Sequence, residues 1–222
     1  MGKLIVLEGL DGSGKATQTA MLFKRFNETG ANVQKISFPD YNNKSSALVQ
    51  MYLNGEIGTL DDVNPFAASS FYSLDRYISF HNIWSEFYNS KDAIVISDRY
   101  TTSNICHQMS KFPKNRWQKY IEWLHNFEYN QLEIPNPDIV IYLNVHPETS
   151  AKLISGRYNG DENKKDIHER NMEYMMRCHE AAKYACAELG WHVIDCCTQD
   201  SGLLPAETIS ALVWEVIENN LQ

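Results

Sequence analysis

Short apolar runs alternate along this chain with longer segments whose apolar residues recur at helical spacing. The run 3–8, with Leu4, Ile5, Val6 and Leu7 in succession, predicts a strand covered on both faces, and 33–38, 93–97, 138–145 and 191–194 predict four more. Helices are predicted over 16–28, 46–53, 65–88, from about 103, and over 117–130, 174–188 and 205–217. In the first of these Met21, Leu22 and Phe26 are the buried candidates and Gly30 ends the helix; in the last, Ile209, Leu212, Val213, Val216 and Ile217 form an apolar face. Such alternation implies an α/β fold, a mostly parallel five-stranded sheet between two helical layers. The helix over 65–88 carries Phe66, Phe71, Tyr72, Tyr77, Phe80, Trp84, Phe87 and Tyr88 on more than one face. It is either central or buries its second face against a partner, and a homodimer through these aromatic-rich helices is expected.

The 222 residues suit one domain, 1–222, with a sizeable core. A formal charge of -8 argues against a large surface for a nucleic-acid polymer, while a local basic cluster can still hold a small nucleotide. With no leader-like segment and no apolar run of membrane-spanning length, the expectation is a cytoplasmic protein. Cys106, Cys178, Cys186, Cys196 and Cys197 are odd in number and lack paired spacing, so they read as free thiols.

Candidate chemistry begins where the first strand ends. Gly9, Leu10, Asp11, Gly12, Ser13, Gly14 and Lys15 match G-x-x-x-x-G-K between a strand and a helix, the context that gives this motif its meaning. The glycines let successive N–H groups converge, Lys15 adds a positive charge, and the helix contributes its N-terminal partial charge, so a polyphosphate is the expected guest. A plain strand-to-helix turn leaves the lysine unexplained. Ala16 stands where a hydroxyl would meet magnesium, and Thr17 diverges from it by about 100° around the helix. Metal binding must then lean on water and on carboxylates such as Asp98, which the third strand delivers with Arg99 to the same sheet edge. The polar segment 155–171, SGRYNGDENKKDIHERN, fits a mobile lid whose Arg157, Lys164, Lys165 and Arg170 could close over phosphate; a solvated loop is the plainer alternative.

The loop at Gly9 to Lys15, the Phe38-Pro39 pair, Tyr72 with Arg76, and Asp98-Arg99-Tyr100 followed by Ser103 occur together in the order and spacing that resemble a thymidylate kinase. The resemblance covers nearly the whole chain. It implies a P-loop nucleoside monophosphate kinase fold, ATP as phosphoryl donor, magnesium held by Asp98, and deoxythymidine monophosphate as acceptor. It further implies that Asp11 faces the sugar hydroxyl and acceptor phosphate, that Tyr72 stacks on the base, that Arg76 bonds its carbonyl edge, and that Arg99 holds the acceptor phosphate. Phe38, Pro39, Tyr100, Ser103 and His107 complete the expected substrate pocket, with Ser103 and His107 one turn apart. Lys15, Asp98, Arg99 and Arg157 are the expected catalytic set. Because Gly12 and Ser13 occupy the loop where some members carry an arginine, Arg157 in the lid is the expected catalytic cation.

Two departures keep other readings open. Asp40-Tyr41 stands where an arginine often follows the Phe-Pro pair, and Ala16 lacks the metal-binding hydroxyl. A kinase for another pyrimidine nucleotide or for a deoxynucleoside, or a nucleotide-binding protein with weak turnover, remains an alternative at this point.

Overall fold

The computed structural model describes residues 1–59, 62–157, 171–198 and 202–221. Strands β1 (Lys3–Glu8), β2 (Val33–Ser37), β3 (Ile94–Asp98), β4 (Ile139–Asn144) and β5 (His192–Asp195) form one sheet in the order β2-β3-β1-β4-β5. Every pairing in it is parallel, as the run of apolar strands separated by helices requires. An isolated antiparallel bridge joins Cys197 to Leu203 beyond β5. Because β1 lies between β3 and β4, the connections leaving the carboxyl ends of these strands diverge there, which opens a crevice at that edge.

On one face, helices α1 (Lys15–Glu28) and α9 (Ala206–Asn220) cover Ile5, Leu7, Ile96, Ile141 and Leu143 through Leu22, Phe26, Ile209, Val213 and Ile217. Leu212 departs from expectation and is exposed, because α9 meets the sheet along the i, i+4, i+8 stripe of Ile209, Val213 and Ile217 and turns the neighbouring position outward. The opposite face is covered by α5 (Thr101–His107), α6 (Trp117–His125) and α8 (Met172–Leu189), whose Ile105, Tyr120, Leu124, Ala182 and Ala185 pack around Tyr142.

The short helix expected over 46–53 is α2 (Ala47–Leu53), entered through one tighter turn. The long aromatic helix exists as α3 (Pro65–Ser79) and α4 (Ser85–Tyr88), joined through a wider π-type turn at Phe80–Trp84. Its rings pack largely within the chain: Trp84 and Tyr88 are buried and the others half-buried, with Phe66 on Phe112, Tyr120 and Trp123, and Phe80 on Trp84 and Tyr88. The helix expected over 117–130 likewise ends as α6 and continues as a π-type turn, Asn126–Gln131. Helix α7 (Pro147–Arg157) takes in residues 155–157, which the sequence pattern assigned to the lid. The rest of the lid assignment, including Lys164, Lys165 and Arg170, lies outside the described residues up to Asn171, whose side chain accepts a hydrogen bond from Tyr174 N and caps α8. All five cysteines are free thiols. No helix among the described residues is long and apolar enough to cross a membrane.

Candidate active site

The loop between β1 and α1 wraps around Lys15. Its buried ammonium donates to the carbonyls of Gly9 at 2.9 Å and Leu10 at 2.8 Å. Burial, reinforced by the nearby Arg99 charge, lowers the Lys15 pKa to about 8 against the opposing pull of Asp11, Asp98 and Glu8. Two glycines are sterically required here. A Cβ on Gly9 would sit 2.5 Å from Ser13 Oγ, and one on Gly12, at φ +79°, would meet Ser150 O of α7 at 2.9 Å. The loop therefore packs directly against the helix that ends at Arg157. Ala16 and Thr17 lie exposed in the first turn of α1.

Immediately after β3, Arg99 adopts φ +66°, a left-handed conformation costly for a side chain of this kind, while its N–H bonds Leu7 O at 3.1 Å. The turn aims its guanidinium into the crevice, where it pairs with Asp11 and lies 3.7 Å from Glu8 Oε1. Burial opposes the charge, but Asp11, Glu8 and Asp98 outweigh it, and the Arg99 pKa is raised. Glu8 is fully buried and already occupied: it accepts from Gly9 N at 2.9 Å and from the Thr102 and Ser103 hydroxyls at 2.7 Å each. Arg99 Nη1 also approaches His107 Nε2 at 3.3 Å. Since a guanidinium can only donate, that nitrogen is the acceptor and the His107 proton resides on Nδ1. Burial, followed by the Arg99 charge, lowers the His107 pKa to about 3, so the ring is neutral at physiological pH.

Asp11, Arg99, Phe38, Pro39, Tyr41, Tyr72, Arg76, Tyr100, Ser103 and His107 line one cleft, joined there by Leu53, Asn104 and Gln108. Nine of the expected substrate-site residues thus share a wall beside the phosphate loop. Asp98 is not among the lining residues; it ends β3 on the same edge, near enough to act electrostatically on both Lys15 and Arg99, while Arg157 ends α7. Where the sequence lacks an arginine after Pro39, the backbone of Asp40 donates to Asp75 Oδ2 at 3.0 Å and Ser45 Oγ to Asp75 Oδ1 at 2.5 Å, pinning this loop to α3. Tyr72 stands in the cleft wall with its ring edge-on to Tyr52, centroids 6.3 Å apart.

Three residues of this site escaped the sequence reading. Gln108 is fully buried, lines the cleft, and has neither amide atom hydrogen-bonded, a combination a protein interior rarely tolerates without a ligand or water to answer it. Asn104 lies one turn before it. Glu128, from the π-type turn after α6, is wholly buried against Arg76. A helical register offered one signal: Trp117, Tyr120, Ile121 and Leu124 form a buried stripe that continues onto position 128, where an unpaired glutamate would be costly. Among the described residues no group of three or more His, Cys, Asp and Glu is arranged to hold a metal ion. The carboxylate of Asp98 is nevertheless a hard oxygen donor of the kind magnesium takes alongside water and phosphate oxygens.

A family model described as thymidylate kinase matches residues 7–208. The thymidylate kinase of Mycobacterium tuberculosis is 32% identical over 191 residues, covering 85% of this chain and 87% of that protein. That of Plasmodium falciparum is 26% identical over 194 residues, 87% of this chain and 82% of the relative. A solved structure of thymidylate kinase from Candida albicans superposes with a TM-score of 0.72 at 22% identity, over 99% of this chain and 92% of that one, a likeness of fold.

Proposed function

Because this chain belongs to the thymidylate kinase family, we propose that it moves the terminal phosphoryl group of ATP onto deoxythymidine monophosphate, with magnesium as the metal cofactor. The observation that carries this reading is the shared cleft, lined by Arg99 and Asp11 beside the phosphate loop and by Tyr72, Arg76 and Gln108. The first pair offers charge to an acceptor phosphate. The second group offers a ring face and buried polar groups to a base.

In this reading Lys15 and the loop amides hold the donor phosphates. Arg99 exchanges Asp11 for the acceptor phosphate, and Asp11 turns toward the sugar hydroxyl. Tyr72 stacks on the pyrimidine, a contact worth about 1–3 kcal/mol by analogy with single-stranded nucleic acids. Arg76 donates to a base carbonyl, and the Gln108 amide answers the adjoining donor and acceptor. Phosphate as the nucleophile needs alignment and charge cancellation more than a strong base. Asp98 would hold magnesium through water and phosphate oxygens; the ion supplies charge neutralisation between the phosphates. Arg157 covers the transferring group. A deoxynucleoside kinase would need a carboxylate ready to take a hydroxyl proton. Glu8, bonded to two hydroxyls and a backbone N–H, is poorly suited to that task.

A panel of nucleoside monophosphates and nucleosides with ATP and magnesium tests the proposal. Deoxythymidine monophosphate is expected to have the highest kcat/KM, and chelation of magnesium to abolish transfer. Higher efficiency with another acceptor, binding without turnover, or full activity after chelation would each refute the corresponding part.

A further inference from the structure

Arg76 lies 1% exposed in a chain whose net charge is negative, and its charge is answered by one side chain. Glu128 Oε2 accepts from Arg76 Nε at 2.7 Å and Oε1 from Nη2 at 2.5 Å, a two-pronged contact that fixes the plane of the guanidinium. The remaining capacity of the carboxylate is filled from three further directions. Ser73 Oγ donates to Oε1 at 2.8 Å, Thr101 Oγ1 to Oε2 at 2.8 Å, and Asn104 Nδ2 to Oε1 at 3.3 Å. Ser73 and Arg76 belong to α3, Thr101 and Asn104 to α5, and Glu128 to the turn that follows α6. One buried carboxylate thus ties together the elements that form the base end of the cleft. A buried ion pair is by itself weak evidence for stability, so its selection for another reason is worth seeking.

That reason lies in which N–H bonds are left over. Of the five on a guanidinium, Glu128 takes two and the Tyr100 carbonyl a third, at 3.3 Å from Nη1. Two remain on a residue that lines the cleft. They can donate and cannot accept. Gln108, a buried cleft residue with neither amide atom bonded, presents a carbonyl or an amine by turning its amide over, so it cannot by itself tell a keto from an amino pyrimidine. Arg76 can, provided that it does not swing aside.

We infer that Glu128 is a positioning residue for base selection: it holds Arg76 so that this residue shows a keto pyrimidine two donors and offers the exocyclic amine of a cytosine no acceptor. The inference rests on the proposed function, since it assumes that a pyrimidine occupies this end of the cleft. Glu128 touches no reacting atom. Its effect should therefore fall on KM and on base preference, with kcat little changed.

The test is steady-state kinetics with dTMP, dUMP and dCMP for the full chain and for Glu128→Gln, Glu128→Asp and Thr101→Val. dUMP and dCMP are compared because their bases differ in the keto or amino group at one ring position. Glu128→Gln replaces one accepting oxygen by an amine that opposes Arg76. The expected result is a rise of about tenfold or more in KM for dTMP, and a fall of about tenfold in the dUMP/dCMP ratio of kcat/KM, the scale on which a mispaired buried polar group acts. Glu128→Asp should restore part of the ratio, because it keeps the charge at a shorter reach. Thr101→Val removes one donor from the carboxylate and leaves the ion pair, so it should lower the ratio by two- to threefold even if Glu128→Gln fails to fold. A folded Glu128→Gln with an unaltered ratio would overturn the inference, as would an unaltered ratio in Thr101→Val when Glu128→Gln does not fold. Equal losses for all three acceptors would also overturn it, by making Glu128 a purely structural residue. A preference of the unmodified chain for dCMP would instead overturn the functional reading, and the inference with it.

Discussion

Lys15, proposed to hold the donor phosphates, is also a buried charge that the fold must carry. With its pKa lowered from an ordinary 10.5 to about 8, first by burial and then by Arg99, the unfolded chain holds more protons between those values than the folded one. Stability contributed through this group therefore rises as pH increases across that interval, and below about pH 8 the folded state bears the cost of a buried charge. The polyphosphate proposed to bind here would reverse the preference by stabilising the ammonium. Nucleotide binding should accordingly take up a fraction of a proton at pH 8.5, and affinity should fall as pH rises from 8 to 10. Calorimetry of ATP binding in two buffers of different ionisation enthalpy measures the uptake; Lys15→Met should remove it. His107 acts in the acid range. Its pKa near 3, set by burial and then Arg99, lies below the unfolded value of 6.5, so its contribution to stability is present above pH 6.5 and is lost as pH falls toward 3.

At the scale of elements, the phosphate loop and α7 are one mechanical unit. Gly12 lies so close to α7 that an added Cβ would be 3.1 Å from Ile154 Cγ1 and 2.9 Å from Ser150 O. The last residue of that helix is Arg157, so the loop proposed to hold the donor phosphates packs on the helix that ends at the start of the proposed lid. Arg157→Ala should lower kcat by about 10²-fold, near 3 kcal/mol, while leaving the affinities for both nucleotides comparatively unchanged. Arg157→Lys should recover only part, since an ammonium lacks the planar fork. Single-turnover transfer with equilibrium binding measures both; a normal rate in Arg157→Ala beside a severe defect in Lys164→Ala or Lys165→Ala would move the role to a lysine. The two π-type turns matter in the same way. The turn after α6 carries Glu128 to Arg76, and the turn after α3 belongs to the segment that buries Trp84 against Tyr100.

For the whole molecule, the internal packing of the aromatic rings changes the argument for a homodimer. The α3 to α4 segment packs its rings largely within the chain, leaving most of them half-buried; its exposed large apolar side chains are Leu74 and Ile83, at 38% and 46%. Dimerisation through this segment remains our expectation and now rests on those two aliphatic side chains. Sedimentation velocity should show a dimer that Leu74→Arg with Ile83→Arg converts to monomer; an unmodified chain that sediments as a monomer at micromolar concentration would end the proposal.

The sequence by itself determined the features that depend on local geometry and on burial pattern. The apolar runs 3–8 and 138–145 read as covered strands, Gly9 to Lys15 read as a phosphate-type loop in that context, and the position of Arg99 after a strand placed it at the sheet edge. Tertiary structure alone decided which distant side chains meet. Glu128 follows Arg76 by 52 positions, and Arg99 follows Asp11 by 88, separations over which no periodicity carries information. Gln108 is an ordinary polar residue until the fold buries it with both amide atoms unanswered. Exposure differs for the same reason: Leu212 and the rings of 65–88 have the same hydrophobicity in any context, and only the packing of α9 on α1 and of α3 on its neighbours decided which of them face water. Strand and helix arise from interactions a few residues apart, whereas a binding site arises where the chain returns to itself, and the free energy of burial that drives that return depends on every element at once.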